Sequence, residues 1–317
     1  MVKKIYTRFR AYQLGNAGSS FSYYADGHFT LIEARLTEVN KKTLSDELKI
    51  VDKKTIDTLH ITSWDQDHCS LTQLEEILEQ YKPKKIEYPG YEPHTDSGKN
   101  SLKIIKNYKK TLLTSVKIQS ITPDYIKSLE TGSIYGYNDI IYGPKKLVDN
   151  ANDNSTIKHF RKGSFNVLSL GDVESNMISA SLSSLTSIKK EVDVMILAHH
   201  GADNGFTTSN FINRCKPQVA IATSNYDNQF SHPKQEIKDL LYKHEIALFT
   251  TKTGDIIIES LNDHNGHYKV MNLISNSQEV SSTKYFNSKK KKLLNVNDDT
   301  LRNRINKKIY PKWKKEI

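Results

Sequence analysis

The segment Thr62-Ser63-Trp64-Asp65-Gln66-Asp67-His68 follows directly on an apolar, strand-like run. Much further along the chain, Ala198-His199-His200-Gly201 follows a second apolar run, and Gly171-Asp172 closes a third between them. Functional side chains concentrate in the loops that follow regular elements, and divalent metals need several carboxylate or imidazole ligands from different loops. The three segments together therefore predict a metal site.

Length and composition limit the classes of protein to consider. The 317 residues suffice for one large α/β domain or two smaller ones, and 37% are hydrophobic. No apolar run is long enough for a transmembrane helix, and the charged N-terminus lacks an apolar signal region. Cys69 and Cys215 form neither a metal-binding spacing nor a disulfide framework. These features predict a cytoplasmic protein without a membrane span.

Positive charge is concentrated at the C-terminal end. Residues 281–317 hold twelve Lys/Arg against three Asp/Glu, which accounts for +9 of the formal net charge of +10. The remaining 280 residues are therefore nearly neutral. The sequence predicts a neutral body that carries a basic tail.

The apolar periodicity predicts a layered α/β protein. An Asp26-Gly27 turn joins two β-prone runs, and a helix is expected from Leu71 until Pro83 stops the pattern. From residue 157 onward, strands and helices alternate. The strands are expected at 165–170, 192–198, 218–223, 246–250 and 256–259, with helices near 178–188 and 233–243.

An ordered series of motifs resembles the metallo-β-lactamase superfamily and, within it, the soluble domain of the ComEC-like competence branch. The resemblance spans roughly residues 8–260 and is carried by the following segments. They are Thr62 to His68, Asn152-Asp153-Asn154-Ser155, Gly171-Asp172, Ile196 to Ala202, Lys216 to Ile221, Asn228, His232-Pro233 and Thr251-Lys252-Thr253-Gly254.

The resemblance implies a four-layer αββα sandwich. We expect a metallo-β-lactamase-like domain over residues 1–275, in which 91–150 matches nothing familiar and is interpreted as a variable, insertion-like region. The Asn/Ser-rich segment 272–288 is typical of a linker. Residues 276–317 are accordingly expected to form a linker and a basic tail.

Four departures from the family pattern bear on activity. Ser63 stands where the family has its first histidine ligand, and Ala202 replaces the serine after His-His-Gly. Near the N-terminus, Gln13-Leu14-Gly15-Asn16-Ala17-Gly18 differs from the usual Asp-Val-Gly-Gln-Gly-Asp, and Glu33-Ala34-Arg35 replaces Asp-x-Gly. The altered ligand at position 63 puts a second metal position in doubt.

The resemblance implies two metal positions bridged by Asp172. The better one would use Asp67, His68, Asp172 and one of His199 and His200, with His199 favoured, a ligand set suited to zinc or manganese. The other would draw on Ser63, Asp65, Asp172 and Asn152 or Asn154. This weaker, oxygen-rich position should prefer manganese or magnesium, or stay empty.

The implied reaction is phosphodiester hydrolysis by a metal-activated hydroxide, most simply as a nuclease. Asp67 and His232 are the candidate catalytic residues. His232 would grip a phosphate oxygen or protonate the leaving group. A structural role for His232, in fixing the turn before Pro233, stays open beside the catalytic one.

The basic tail is predicted to bind nucleic acid, DNA rather than RNA. It combines positive charge with aromatic side chains, which suits nucleic-acid backbones and exposed bases. A disordered solubilising tail, a short amphipathic helix that docks on the body or a protein partner, and contact with an anionic membrane surface remain alternatives. The candidate residues are Lys289, Lys290, Lys291, Lys292, Arg302, Arg304, Lys307, Lys308, Lys312, Trp313, Lys314 and Lys315.

Two further functions compete with the nuclease. One is a catalytically degenerate member that binds nucleic acid or a protein partner, which Ser63 favours. The other is a hydrolase of a small ester, lactone or cyclic nucleotide, which the superfamily also supports.

Overall fold

The computed structural model of the chain describes residues 3–111, 115–130 and 138–294. The strands are β1 (Thr7–Ala11), β2 (Phe21–Ala25), β3 (His28–Ile32), β4 (Thr58–His60), β5 (Lys85–Pro89), β6 (Lys117–Ile121), β7 (Ile140–Gly143), β8 (Ile157–Phe160), β9 (Val167–Ser169), β10 (Val194–Ile196), β11 (Val219–Ala222), β12 (Ala247–Thr250), β13 (Ile256–Ser260), β14 (His267–Leu273) and β15 (Val280–Asn287). The helices are α1 (Glu38–Ile50), α2 (Leu71–Tyr81), α3 (Asp96–Thr111), α4 (Pro123–Glu130), α5 (Asn176–Ser184), α6 (Thr186–Glu191), α7 (Ser209–Cys215), α8 (Gln235–Lys243) and α9 (Lys291–Leu294).

The strands form two mixed sheets. The larger sheet has the order β15-β14-β13-β1-β2-β3-β4-β5-β6 and the smaller one β12-β11-β10-β9-β8-β7. Strands β3 to β6 run parallel, as do β9 to β12, whereas the remaining pairs are antiparallel. The parallel part of each sheet delivers the loops that carry the site residues, because parallel strands end at the same edge of a sheet.

Apolar side chains fill three layers. Between the sheets, Phe9 and Phe21 of the larger sheet pack with Phe160 and Val194 of the smaller one. The outer face of the larger sheet is covered by helices α1 to α3, and that of the smaller sheet by α5, α7 and α8. The arrangement is the predicted four-layer αββα sandwich.

Helix α2 illustrates how the sequence specifies these layers. Leu74, Ile77, Leu78 and Tyr81 are its buried residues and lie at the three- and four-residue spacing of one helix face. Lys82 then adopts a left-handed conformation at the C-cap, and the chain continues into β5. The predicted helix and its end are confirmed.

The described part of region 91–150, which the sequence suggested to be insertion-like, contributes strands to both sheets. Strand β6 pairs in parallel with β5 and forms one edge of the larger sheet. Strand β7 pairs with β8 and forms one edge of the smaller sheet. The described part of this region therefore supplies one edge strand to each sheet.

The predicted linker is also wrong for residues 280–287. These residues form β15, which pairs antiparallel with β14 along its length. Phe286 stacks on buried Tyr268, with ring centroids 5.5 Å apart. The Ser and Asn side chains suggested a linker, but a strand at a sheet edge keeps polar side chains in solvent while its backbone pairs with one neighbour. The folded body therefore extends to residue 294.

None of the helices within the described ranges is long and apolar enough to cross a membrane.

Candidate metal centre

Four predicted ligands converge at one point of the molecule. One ligand atom from each of Asp67, His68, Asp172 and His200 lies within 4.8 Å of all the others. Nε2 of His68 is 2.8 Å from Oδ2 of Asp172, and Nε2 of His200 is 3.0 Å from Oδ2 of Asp67. Three segments that are far apart in the sequence therefore bring two carboxylates and two imidazoles together.

Tight backbone turns after the strands place these side chains. The loop after β9 turns at Gly171, where φ is 59° and an added Cβ would lie only 2.8 Å from Cβ of Ser155, so that no side chain fits. After β10, His199 and His200 both adopt left-handed backbone conformations. His199 N–H also donates to the Gly171 carbonyl, at 3.0 Å. The two loops are thus joined directly where Asp172 and His200 leave the sheet.

Glu33 orients His68 from behind. Oε1 of Glu33 lies 3.2 Å from Nδ1 of His68 and accepts a hydrogen bond from the Thr62 hydroxyl at 2.5 Å. Oε2 accepts the Thr62 backbone N–H at 3.0 Å. A carboxylate on one ring nitrogen directs the other toward a metal. Sequence reasoning noted Glu33 only as a departure from the family pattern; its position at the end of β3 was the available signal.

His200 is held by hydroxyl groups instead. Its Nδ1 lies 2.9 Å from Oγ1 of Thr223, which is 2.7 Å from Oγ of Ser19. The Ser19 N–H also donates to the carbonyl of Asp67 at 2.9 Å. Loops after three strands therefore fix the ring so that Nε2 faces the cluster. Neither Ser19 nor Thr223 was predicted from the sequence.

The preference for His199 over His200 as the ligand is wrong. Nδ1 of His199 lies 2.8 Å from Oε1 of Glu174, outside the four-residue cluster. Glu174 is itself held by amide donors from Asn150 and Asn152, each at 3.1 Å. His199 points to this carboxylate because the left-handed turn sends the two adjacent rings in different directions.

The second predicted position has no such cluster among the described residues. The Ser63 hydroxyl donates to Oδ2 of Asp65 at 2.9 Å and lies 3.2 Å from the Tyr91 hydroxyl. Asp65 is therefore engaged locally and lies outside the four-residue group. The Asn154 amide bonds to the backbone of Val148 in both directions, which argues against a ligand role.

Electrostatic interactions within the cluster shift the pKa values of its side chains. Burial opposes protonation of His68, but Asp172, Glu33 and Asp67 outweigh it and raise the pKa of His68 well above its usual value. Burial alone would raise the pKa of Asp67 and of Asp172, yet the positive charge of His68 keeps both below their usual range. A metal ion bound here would replace that proton, so metal binding should release protons.

The residues present fit a divalent metal ion. Within the described part of the chain, Oδ1 of Asp172 is buried without a hydrogen-bond partner, while Oδ2 of the same carboxylate faces Nε2 of His68 at 2.8 Å. A buried carboxylate oxygen rarely remains unpaired, and an ion bound at the cluster would remove that cost. Two imidazole nitrogens and two carboxylate oxygens suit zinc or manganese. The observation supports one ion at Asp67, His68, Asp172 and His200.

His232 lies beside the cluster rather than in it. Its ring centroid is 6.4 Å from that of His200 and 6.0 Å from that of His199. Burial, together with His200 and His199, lowers the pKa of His232 to about 4, which keeps its imidazole neutral. The Asn228 side chain bonds both the N–H and the carbonyl of His232, which fixes the turn before Pro233.

Two lysines of the predicted nucleic-acid surface are structural. Lys290 is buried, and its ammonium donates to the Arg161 carbonyl at 2.8 Å and to Oδ1 of Asn166 at 2.6 Å. The Lys289 ammonium donates to the Cys215 carbonyl at 2.6 Å. Lys290, which was predicted to contact nucleic acid, is therefore a structural anchor. The ammonium of Lys289 is likewise bonded within the fold. The predicted residues Arg302, Arg304, Lys307, Lys308, Lys312, Trp313, Lys314 and Lys315 lie outside the described residues.

Fold and site together define the class. An αββα sandwich whose strand ends deliver a cluster of Asp and His side chains is the metallo-β-lactamase fold that the sequence predicted. Among solved structures, the chain is similar to the metallo-β-lactamase fold protein YhfI from Bacillus subtilis. The identity is 12% and the TM-score 0.46, over 80% of this chain and 99% of that one.

The sequence comparison finds similarity to two competence proteins. The chain is 24% identical to ComE operon protein 3 of Bacillus subtilis (strain 168) over 205 residues. The matched stretch covers 64% of this chain and 24% of that protein. A stretch of 58 residues is 34% identical to Competence protein ComA of Neisseria gonorrhoeae, covering 18% of this chain and 8% of that protein. The chain thus spans about a quarter of the first relative. No protein-family model matches. The resemblance to the ComEC-like branch is confirmed.

Proposed function

We propose that the chain is a metal-dependent phosphodiester hydrolase that acts on nucleic acid. The observation that carries this proposal is the convergence of Asp67, His68, Asp172 and His200, in which Oδ1 of Asp172 is a buried ligand atom without a hydrogen-bond partner. A purely structural ion-pair network would satisfy every buried carboxylate oxygen, whereas a metal ion would supply the partner that Oδ1 of Asp172 lacks.

The residues have distinct roles in this proposal. Asp67, His68, Asp172 and His200 hold the ion, which when bound supplies Lewis-acid activation of water and of the phosphoryl group. The Asp67 side chain is 35% exposed, so its carboxylate also faces the solvent from which a water nucleophile and the substrate arrive. The carboxylate accepts a hydrogen bond from that water and orients it for attack.

His232 completes the site as a neutral donor. Its lowered pKa leaves the imidazole uncharged at neutral pH, so it adds no repulsion toward the bound cation. A neutral imidazole still donates one N–H, which can bond to a phosphate oxygen. We propose this substrate-holding role for the ring together with a structural role for the backbone, which is bonded to Asn228.

Nucleic acid is the substrate class that the comparisons favour. Two relatives are a ComE operon protein and a competence protein, and the matched motifs resemble a DNA-uptake family. Residues 295–317 add seven Lys/Arg against three Asp/Glu. Such a segment binds phosphate backbones electrostatically. DNA is therefore the preferred substrate in this proposal, and a cytoplasmic location remains a prediction.

A catalytically degenerate binding protein is the second candidate. The observation that favours it is the Ser63–Asp65–Tyr91 hydrogen-bonded group, which lies in the ligand loop where the family has a histidine. That group leaves one ion position in place of two. A single well-furnished position still permits hydrolysis, which makes the enzyme our first choice.

The test is cleavage of labelled single-stranded DNA, duplex DNA, RNA and bis(p-nitrophenyl) phosphate with Mn²⁺, Zn²⁺ or Mg²⁺. We expect Asp172→Asn to lower kcat/KM by about 100-fold or more, since even changes behind the ligands cost 10–100-fold. Asp203→Asn, which changes an exposed carboxylate in the loop that carries His200, is the matched control. Cleavage of the small ester alone would favour a small-molecule hydrolase. Equal activity of Asp172→Asn and wild type would refute the proposal.

A further inference from the structure

Three aromatic rings form a stack that runs from the metal cluster to the surface. The His200 and His232 rings are stacked, with centroids 6.4 Å apart and an interplanar angle of 24°. Phe230 stacks on His232 in turn, at 5.7 Å and 21°. His200 and His232 are nine-tenths buried, whereas Phe230 is 56% exposed. The stack therefore ends in an exposed apolar ring next to the candidate site.

The loop that carries Phe230 is fixed to the site. Nδ2 of Asn228 donates to the carbonyls of Asn225 and His232, at 3.1 and 3.0 Å, and its Oδ1 accepts the His232 N–H. The Lys234 N–H then donates to the Gly201 carbonyl, at 3.0 Å, next to His200. Phe230 is thus held in place relative to the ligands by hydrogen bonds on both sides of the loop.

An exposed phenyl ring in this position is suited to a planar partner. Its inner contact is with His232, while more than half of its surface faces solvent. Tyr226, in the same loop, is 77% exposed. Nucleobases stack on such rings in proteins that bind single strands, because every base offers an aromatic face. A ring placed only to cover the site would lie against it with less surface exposed.

We propose that Phe230 stacks on an unpaired nucleobase next to the scissile phosphate and makes the protein selective for single-stranded nucleic acid. This inference rests on the proposed function and names its substrate class. In a duplex the base is already paired and stacked, so stacking on Phe230 would require it to leave the helix. A single strand offers its bases without that cost.

Binding of fluorescein-labelled oligothymidylate, measured by fluorescence anisotropy, tests the proposal without requiring turnover. We expect Phe230→Ala to weaken binding by about five-fold or more, the loss of at least 1 kcal/mol of base stacking. Phe230→Trp should restore or improve affinity. Tyr285→Ala, which removes an exposed ring from the outer strand β15, should bind like wild type.

A probe of the same length with abasic sites separates stacking from other roles of Phe230. Wild type and Phe230→Ala should bind this probe equally, because no base remains to stack. Metal content of Phe230→Ala should match wild type. Equal affinity of both proteins for oligothymidylate, an equal loss on both probes, or no binding by wild type would overturn the stacking role. Base-dependent binding without cleavage would instead overturn only the hydrolase.

Discussion

Nε2 of His68 and Oδ2 of Asp172 lie 2.8 Å apart, although the two residues are more than a hundred positions apart in the chain. His68 follows β4 of the larger sheet, and Asp172 follows β9 of the smaller sheet. The contact therefore joins the two sheets at the edge where their parallel strands end. It places the candidate metal centre at the junction of both halves of the sandwich.

Removal of the charge on Glu33 should weaken metal binding without removing a ligand. In Glu33→Gln, Nδ1 of His68 loses its carboxylate partner, and we expect the Kd for Zn²⁺ or Mn²⁺ to rise by about 10- to 100-fold. Competition with a chromogenic chelator measures this. Glu174→Gln, which affects the partner of His199, is the matched control and should leave the Kd unchanged. The same Kd in Glu33→Gln and wild type would argue against an orienting role.

Introduction of the family histidine at position 63 should succeed only when space is made for it. Ser63 is fully buried and its hydroxyl lies 3.2 Å from that of Tyr91. Ser63→His alone should lower the Tm, since overpacking a buried position costs about 1–3 kcal/mol. Ser63→His with Tyr91→Ala should recover stability and bind more zinc per chain. A double variant with unchanged zinc content would show that position 63 does not face a metal site.

Stability should fall on acidification because of His159. Burial, with the nearby charges of Arg161, Lys290 and Lys289, holds the pKa of His159 well below its usual value. In the unfolded chain His159 takes up a proton near pH 6.5, whereas in the folded chain it does not. The contribution of neutral His159 to the free energy of unfolding is therefore fully present above pH 6.5 and is lost as the pH falls toward the folded pKa.

The His159 contribution can be isolated with a neutral side chain. We expect His159→Leu to reduce the slope of unfolding free energy against pH below 6.5, by up to about 1.4 kcal/mol per pH unit. Urea unfolding between pH 5 and 8 measures both slopes. Parallel curves for the two proteins would mean that His159 is protonated in the folded state.

Two truncations should separate the role of the basic tail from the stability of the fold. Deletion of 295–317 removes seven Lys/Arg but leaves β15 and the Lys290 anchor. We expect this variant to keep its Tm, bind DNA more weakly and show a flatter dependence of affinity on salt. Deletion of 281–317 should also lower the Tm, because it removes β15. A salt titration that is unchanged by the shorter deletion would exclude the tail from DNA binding.

Much of the fold was predictable, because apolar periodicity reports burial. Helix α2 and strand β10 were expected close to where they lie, since their buried faces follow from the spacing of Leu, Ile and Val. The convergence of Asp67 and Asp172 was also expected, because both follow strands. These predictions depended on local sequence and on the need of a divalent metal for ligands from several loops.

The predictions that failed concern features that depend on tertiary contacts. His199 and His200 are adjacent, and only the left-handed backbone of both residues decides which ring faces the cluster. Lys290 belongs to a run of lysines that suggests solvent, yet its acceptors come from residues 124 and 129 positions away. Strand β15 is polar and pairs through its backbone, so its side chains gave no strand signal.

The metal content of wild type and of the adjacent variants His200→Ala and His199→Ala tests the central claim most directly. Elemental analysis after dialysis against Zn²⁺ or Mn²⁺ should give about one ion per chain for wild type and His199→Ala, because a four-ligand site binds one ion. The His200→Ala protein should retain little or none. Wild type without bound metal, or equal occupancy in His200→Ala and wild type, would contradict a metal centre at Asp67, His68, Asp172 and His200.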